Sequence, residues 1–578
     1  MAGDGWAKSW SDVPEPLWTN GPPRIVVPPN PAVGGPNGGT VQSETVLTGG
    51  LVVDGTGAPA RRADLVLRDG RVSHVAQPGG ARSTGEHVDV GGLVVAPGFI
   101  DMHAHSDLAI LADPAHEAKT LQGVTLEVLG QDGLGYAPVT DATVDEIRTR
   151  IAGWNGTPDL DHAWRGVGEY LDRVDRGAAV NAACLVPHGN VRMAVVGGQD
   201  RPPTEAEAVR MRAMVAQGMK EGAHGLSTGL TYTPGMYATD DEIVDLLAPV
   251  RAGGGYYCPH HRNYGSRVVE SYQECLDVAR RAHVPLHLAH CHVNFPINRG
   301  RAPEVLDAID EATVRHGLDV TLDSYPYRAS ATYLAAPLPG WAQAGGTAAT
   351  LDRLRDASAR ARILREIEAE GTDGNHGVPM DWSAIVVTGV TDRALSWAVG
   401  SSIADLAKSR GEEPGQVYAD LLVADELRSG CLLQVGNEDN IRTIMRHSSH
   451  TAGSDGILVG DKPHPRGWGT FPRYLGHYVR ELGVLTLEEC VRHLTSRPAR
   501  RLGLTDRGAV HLGAIADLVV FDPDTVAAGA TYDEPRRPPV GIEHVLVSGE
   551  FTVRDGRRTD RLPGRSVRSD RSDHRANL

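Results

Sequence analysis

The chain has 578 residues, 41% hydrophobic and 22% charged, with a formal net charge of −16. That length exceeds one ordinary core and suits a large catalytic domain with a smaller one, and the acidity argues against nucleic acid or an anionic membrane as a partner. The six cysteines (Cys184, Cys258, Cys275, Cys291, Cys431 and Cys490) are scattered without a C-x-x-C pair, which excludes a disulfide scaffold or a structural zinc module. No apolar run approaches a membrane span, and the N-terminus lacks the basic-then-apolar pattern of a secretory signal, so a reducing, cytoplasmic setting is expected.

Residues 1–42 are rich in Pro and Gly, as in PPNPAVGGPNGG, and lack periodicity. They predict an extension that is disordered or draped over a neighbour through Trp6, Trp10 and Trp18. Residues 43–96 change to short β-rich runs broken by Gly, Asp-Gly and Gly-Gly turns, and the same texture returns over 505–560. Together they predict one small β-sandwich built from both chain ends. Residues 561–578 read as a polar, charged tail.

Over 97–504 strands alternate with helices. The candidate strands are Gly98–Met102, Thr125–Leu129, Ala182–Pro187, Gly225–Ser227, Tyr256–Pro259, Leu286–Ala289, Asp319–Asp323 and Thr451–Gly453. Amphipathic stretches such as TEAEAVRMRAMVAQGMKEG and DDEIVDLLAPVRAG lie between them. The pattern predicts the α/β class and a (β/α)8 TIM barrel, with its chemistry at the C-terminal strand ends. Residues 335–445 offer no barrel strand and are partly helical. They are expected to form an excursion over the mouth, as a lid or a partner surface.

If the strands close into a barrel, the polar residues at their ends converge. His103 and His105, two apart after an apolar strand, project to the same side. Asp132, His260, His290 and Asp455 follow four other strands. Imidazoles and carboxylates without a thiolate suit a divalent metal, one or two ions, with zinc the first expectation and iron, manganese or cobalt compatible. Such a metal lowers the pKa of a bound water and polarises a carbonyl. Asp455 is the natural general base. His188 and His224, taken singly, read as hydrogen-bonded structural residues.

These motifs resemble the amidohydrolase superfamily and, within it, the N-acyl-D-amino-acid deacylases (D-aminoacylases). The likeness runs over about 45–550. PGFIDMHAHSD resembles the first metal motif, LQGVTLEVLGQDGLGYAPV the second-strand block, and EGAHGLSTGLTYTPGMYATDDEI the following Gly-Leu-Ser-Thr-Gly-Leu segment. YYCPHHRN, LHLAHCHV and DSYPYRAS match later blocks. GSDG followed by HPRGWGTFPRYLGHYVRE is the most specific part. The resemblance implies a metal-dependent amidohydrolase that cleaves a C–N amide bond of a small N-acyl amino acid. It makes His103, His105, His260 and His290 metal ligands, Asp455 the catalytic aspartate, Arg466 the grip on the substrate carboxylate, and Tyr325 its neighbour.

Two departures stand out. Gly130-Gln131-Asp132-Gly133 replaces a family Gly-Asn-Cys-Gly, so Asp132, an oxygen ligand able to bridge, stands where a thiolate ligand is usual. This is expected to let His103 and His105 hold the second ion of a pair more fully. His292 replaces a frequent lysine at the substrate carboxylate, while His261 and Arg262 are expected to alter or line the same pocket. Hydrolysis of a cyclic amide or imide, deamination, and a non-catalytic metal-binding scaffold are the competing readings. A homo-oligomer is suggested only by the surfaces that the excursion and the extension offer.

Overall fold

The protein is described by a computed structural model covering residues 44–570. The expected N-terminal extension and the last residues of the charged tail lie outside the described residues.

Both chain ends build one nine-stranded sheet. Glu44–Val52 pairs antiparallel with Arg61–Arg68, and Val94–Pro97 joins this half to Leu518–Phe521, which continues to Ile542–Val547 and Glu550–Arg554. Inward positions from both halves, among them Leu47, Leu65, Val72, Val95, Leu518 and Leu546, are buried against each other. Val72 N donates to Ala514 O at 2.8 Å, so the sheet curls over that shared core. Part of the expected polar tail is also anchored. Gly564 N and Val567 N donate to Ala178 O and Ala182 O, and Ser566 Oγ bonds Asp175.

The eight expected barrel strands all form. They are β1 (Phe99–Asp101), β2 (Val124–Leu129), β3 (Asn181–Cys184, continued by Val186–Pro187), β4 (Gly225–Gly229), β5 (Tyr256–His260), β6 (Leu286–Leu288), β7 (Val320–Ser324) and β8 (His450–Ala452). All the pairings are parallel. The ring closes between β8 and β1, where Met102 N donates to Ala452 O at 3.1 Å and Ala104 bridges Gly456. Every residue of these strands is buried, as expected of strands covered on both faces.

Local chemistry starts the helices between them. Thr204 caps α1 (Glu205–Lys220) with a reciprocal box: its Oγ1 accepts from Glu207 N, and Glu207 accepts from Thr204 N. Thr239 caps α2 (Asp240–Ala252) by accepting from Glu242 N at 3.2 Å. After β8, Gly453 allows a close approach that no other residue would. A Cβ there would lie 2.5 Å from Asp323 Oδ1 and 2.7 Å from His103 Cβ.

The stretch after β7 is richer than its helical pattern suggested. Ser330–Tyr333, Gly430–Leu433 and Ile385–Gly389 form a small antiparallel sheet, with Gly430–Leu433 in the middle. Helices such as Thr347–Arg355 and Pro414–Ala424 pack around it, burying Leu354 and Tyr418. No helix among the described residues is long and apolar enough to cross a membrane.

Candidate metal centre

Six side chains meet at the C-terminal mouth of the barrel. His103, His105, Asp132 and Asp455 form one group and Asp132, His260 and His290 another; within each group the ligand atoms lie within 4.8 Å of one another. Asp132 belongs to both. Its oxygens stand 3.5 Å from His103 Nε2, 3.4 Å from His105 Nε2, 3.5 Å from His260 Nδ1 and 3.3 Å from His290 Nε2. Asp455 Oδ1 lies 3.2 Å from His105 Nε2 and 3.8 Å from His103 Nε2.

Three of these residues sit on strained backbone. Asp132, His290 and Asp455 have φ of 54°, 28° and 48°. Non-glycine residues hold such angles at a cost of about 1–3 kcal/mol each, and do so where surrounding contacts dictate it. For Asp132 those contacts are explicit. Gly130 N donates to Asp107 Oδ1, Gln131 Nε2 to Met102 O, and Gly133 N to Ser227 Oγ, which pins the whole turn.

The donor set fits a divalent cation. Both ring nitrogens of His103 and Oδ1 of Asp132 are buried without an aligned hydrogen bond. Burial disfavours a charged His103, yet Asp132 and Asp323 outweigh it and hold the imidazole well above its ordinary value. The same balance, set by Asp132 and Asp455, raises His105. Burial would raise Asp455, but Arg466 and the histidines hold it below the usual carboxylate range, so it is ionised. Two ionised, buried carboxylates facing His103 and His105 offer the field a metal ion satisfies.

Three orienting residues escaped the sequence reading. Asp323, at the end of β7, accepts from His290 N at 3.0 Å, bonds His287 Nε2 at 3.0 Å and faces His103 Nδ1 at 3.6 Å. Tyr264 Oη bonds His290 Nδ1 at 2.9 Å, and Thr231 Oγ1 bonds His260 Nε2 at 2.6 Å. Tyr264 and Thr231 each occupy the outward nitrogen of a histidine, Asp323 faces that of His103, and in all three the other nitrogen is left facing Asp132, as ligand histidines require. Asp323 carried a usable signal, because it ends a barrel strand as the ligands do. Tyr264 and Thr231 carried none.

Tyr325 lines the pocket, and Arg466 lies behind Tyr325 and Asp455 without lining it. The guanidinium is fully buried, with Nη1 2.9 Å from Asp455 Oδ2 and its carbon 4.5 Å from the centre of the Tyr325 ring. His292 lines the pocket, stacks on Tyr325 at 4.0 Å and accepts from Tyr325 N. Burial pushes it down to about 3, so it is neutral. Arg262 and His261 do not line the pocket, against expectation. Arg262 is spent on Glu274 and on the carbonyls of Met236 and Ala238. His261 is buried between Tyr264 and Tyr272 and bonds Ser271. His188 and Arg192 are likewise spent, on Glu242.

The pocket above the ligands is closed by Trp154, Tyr232 and Phe295 and, from the excursion, by Pro337, His376 and Leu433. Among the described residues that line it there is no lysine or arginine.

A closed parallel barrel with histidines and carboxylates at its C-terminal mouth defines a metal-dependent hydrolase. The chain belongs to the amidohydrolase family, whose match spans residues 86–553. It is similar to the D-aminoacylase of Alcaligenes xylosoxydans xylosoxydans, at 34% identity over 88% of this chain and 93% of that protein. The N-acyl-D-glutamate deacylase of the same organism is 34% identical over 92% and 97%. Among solved structures, the N-acyl-D-glutamate deacylase of Bordetella bronchiseptica, complexed with zinc and a phosphonate inhibitor, superposes with a TM-score of 0.76 at 34% identity, covering 91% of this chain and 100% of that one.

Proposed function

We propose that this enzyme deacylates N-acyl amino acids, with the D-series the first expectation from its relatives. The observation that carries this reading is Arg466. It is a buried guanidinium paired through Nη1 with Asp455, and it lies directly behind the Asp455 and Tyr325 side chains that line the pocket, with Nε making no hydrogen bond. A planar guanidinium with a donor to spare, stacked on Tyr325, suits a substrate carboxylate that enters between those two side chains. His292 adds a neutral hydrogen-bonding group there and no charge.

His103, His105, Asp132 and Asp455 would hold one divalent ion, and Asp132, His260 and His290 a second. Zinc, present in the Bordetella relative, is the first expectation. Bound there, the metal supplies Lewis acidity, lowering the pKa of water and polarising the substrate carbonyl. Asp455, ionised at rest, takes a proton from the attacking water and returns it to the leaving nitrogen. Arg466 fixes the carboxylate end, and the residues from the excursion exclude bulk water. The six buried, unpaired cysteines support a reducing compartment, the cytoplasm.

The test is amine release from a panel of N-acyl-D- and N-acyl-L-amino acids and cyclic amides, with Zn, Mn and Co supplied in turn. Asp455→Asn should lower turnover by about 10²–10⁴-fold while metal stays bound. Turnover of cyclic amides alone would overturn the reading. That second reading draws on the neutral His292 and the absence of a lining lysine or arginine.

A further inference from the structure

A buried ionic network lies beside the first metal group, and the reaction itself does not use it. Lys119, on the short helix Glu117–Thr120, has no exposed surface. Its Nζ donates to Asp101 Oδ2 at 2.5 Å and to Ser454 Oγ at 2.9 Å, and stands 3.6 Å from Glu127 Oε2. Asp101 ends β1 and Glu127 lies within β2; both are fully buried. Glu127 also bonds His116 Nε2 at 2.9 Å and accepts from Ser106 Oγ at 2.6 Å. Burial pushes its carboxyl up, but His116, Lys119 and Ser106 outweigh that and bring it down to about 2. Burying such ions is costly unless they are paired, so a network here is expensive to keep.

Its hydrogen bonds lead to the metal ligands. Asp101 Oδ1 accepts from His103 N at 3.2 Å and from Ser454 N at 2.7 Å, and Ser454 Oγ donates to Asp101 Oδ2 at 2.6 Å. Asp455 N in turn donates to His103 O at 2.7 Å, and His105 N to Gly456 O at 3.3 Å. The end of β1 and the turn after β8 are thus joined through Asp101 and Ser454, and Lys119 holds both. None of the hydrogen bonds made by Lys119 reaches Asp132, His260 or His290.

We propose that Lys119 is a positioning residue: by clamping Asp101 and Ser454 it keeps His103, His105 and Asp455 at metal-binding distance and so governs the ion they hold, independently of the ion at His260 and His290. The inference rests on the two-ion reading of the ligand set. Lys119→Met keeps the apolar stem of the side chain and removes the ammonium group, and Ser454→Ala removes one hydroxyl from the same clamp.

The test is a Co²⁺ titration of the full-length, chelator-stripped enzyme, followed by visible absorption and calorimetry beside thermal melts. Wild-type protein should bind two ions. Lys119→Met should weaken one of them by about 10–100-fold, as loss of an orienting partner does, and leave the other within about threefold. Ser454→Ala should weaken the same ion by less. A purely structural role would lower the melting temperature without separating the two affinities, and that result overturns the proposal. So does wild-type affinity for both ions in Lys119→Met or, if that variant does not fold, in Ser454→Ala. A single ion in the wild type would instead sink the two-ion reading, and this inference with it.

Discussion

Asp132→Ala is the sharpest perturbation of the centre, because Asp132 is the one ligand the two groups share. Removing it leaves His103, His105 and Asp455 to one ion. The other keeps only His260 and His290, whose facing nitrogens are 3.0 Å apart, and no carboxylate. Taking one partner from a buried charged contact costs about 3–5 kcal/mol. At about 1.4 kcal/mol per tenfold, the ion at His260 and His290 should weaken by roughly 100- to several-thousand-fold. The three-donor group should lose less. Competition of the stripped enzyme against a chromophoric chelator reads both constants, with circular dichroism to verify the fold. Asp132→Cys should keep the ion at His260 and His290 and weaken the one at His103 and His105, since a thiolate presents one donor atom where the carboxylate presents two. If Asp132→Ala binds two ions with constants within about threefold of wild type, Asp132 bridges nothing and the reasoning fails.

Other outcomes follow from the same geometry. Arg466→Ala should raise KM for the true N-acyl amino acid by about tenfold or more, the order expected on losing a charge-assisted bond of about 1.5–3 kcal/mol; an unchanged KM would remove the carboxylate from that position. Metal affinity should rise with pH from the ordinary imidazole value of 6.5 upward, because His103 and His105 are raised above it and must release protons to bind an ion. Without metal the sign is opposite. Groups with raised pKa values stabilise the fold at low pH and lose that contribution as pH climbs through those values, so the stripped enzyme should melt at lower temperature as pH rises, and metal should reverse the loss. Melting and binding profiles that stay flat as pH rises from 6.5 would contradict this. With Arg466 assigned to the α-carboxylate and no lysine or arginine lining the pocket for a second one, N-acetyl derivatives of neutral amino acids should be better substrates than those of glutamate or aspartate, measured as kcat/KM.

The amino-acid sequence by itself determined the alternation of strand and helix, the place of all eight barrel strands and the sheet made from both chain ends. It also marked the six side chains that meet at the barrel mouth. All of these are local signals: apolar runs of strand length, amphipathic stretches between them, and histidines two apart at a strand end. What it left open depends on contacts between distant segments. Ser454 N reaches Asp101 across 353 positions, and Arg466 reaches Ala331 O across 135, so neither partner is visible from its neighbours. Arg262 and His261 looked like pocket residues because they follow a ligand in the chain, yet the turn after β5 aims them at Glu274 and Ser271 instead. Which carboxylate both groups share, which oxygen orients which histidine, and that a lysine is buried beside them were decided only when the barrel closed. A side chain's direction at a strand mouth is set by the backbone angles of its turn and by the strands on either side, and those are properties of the tertiary structure.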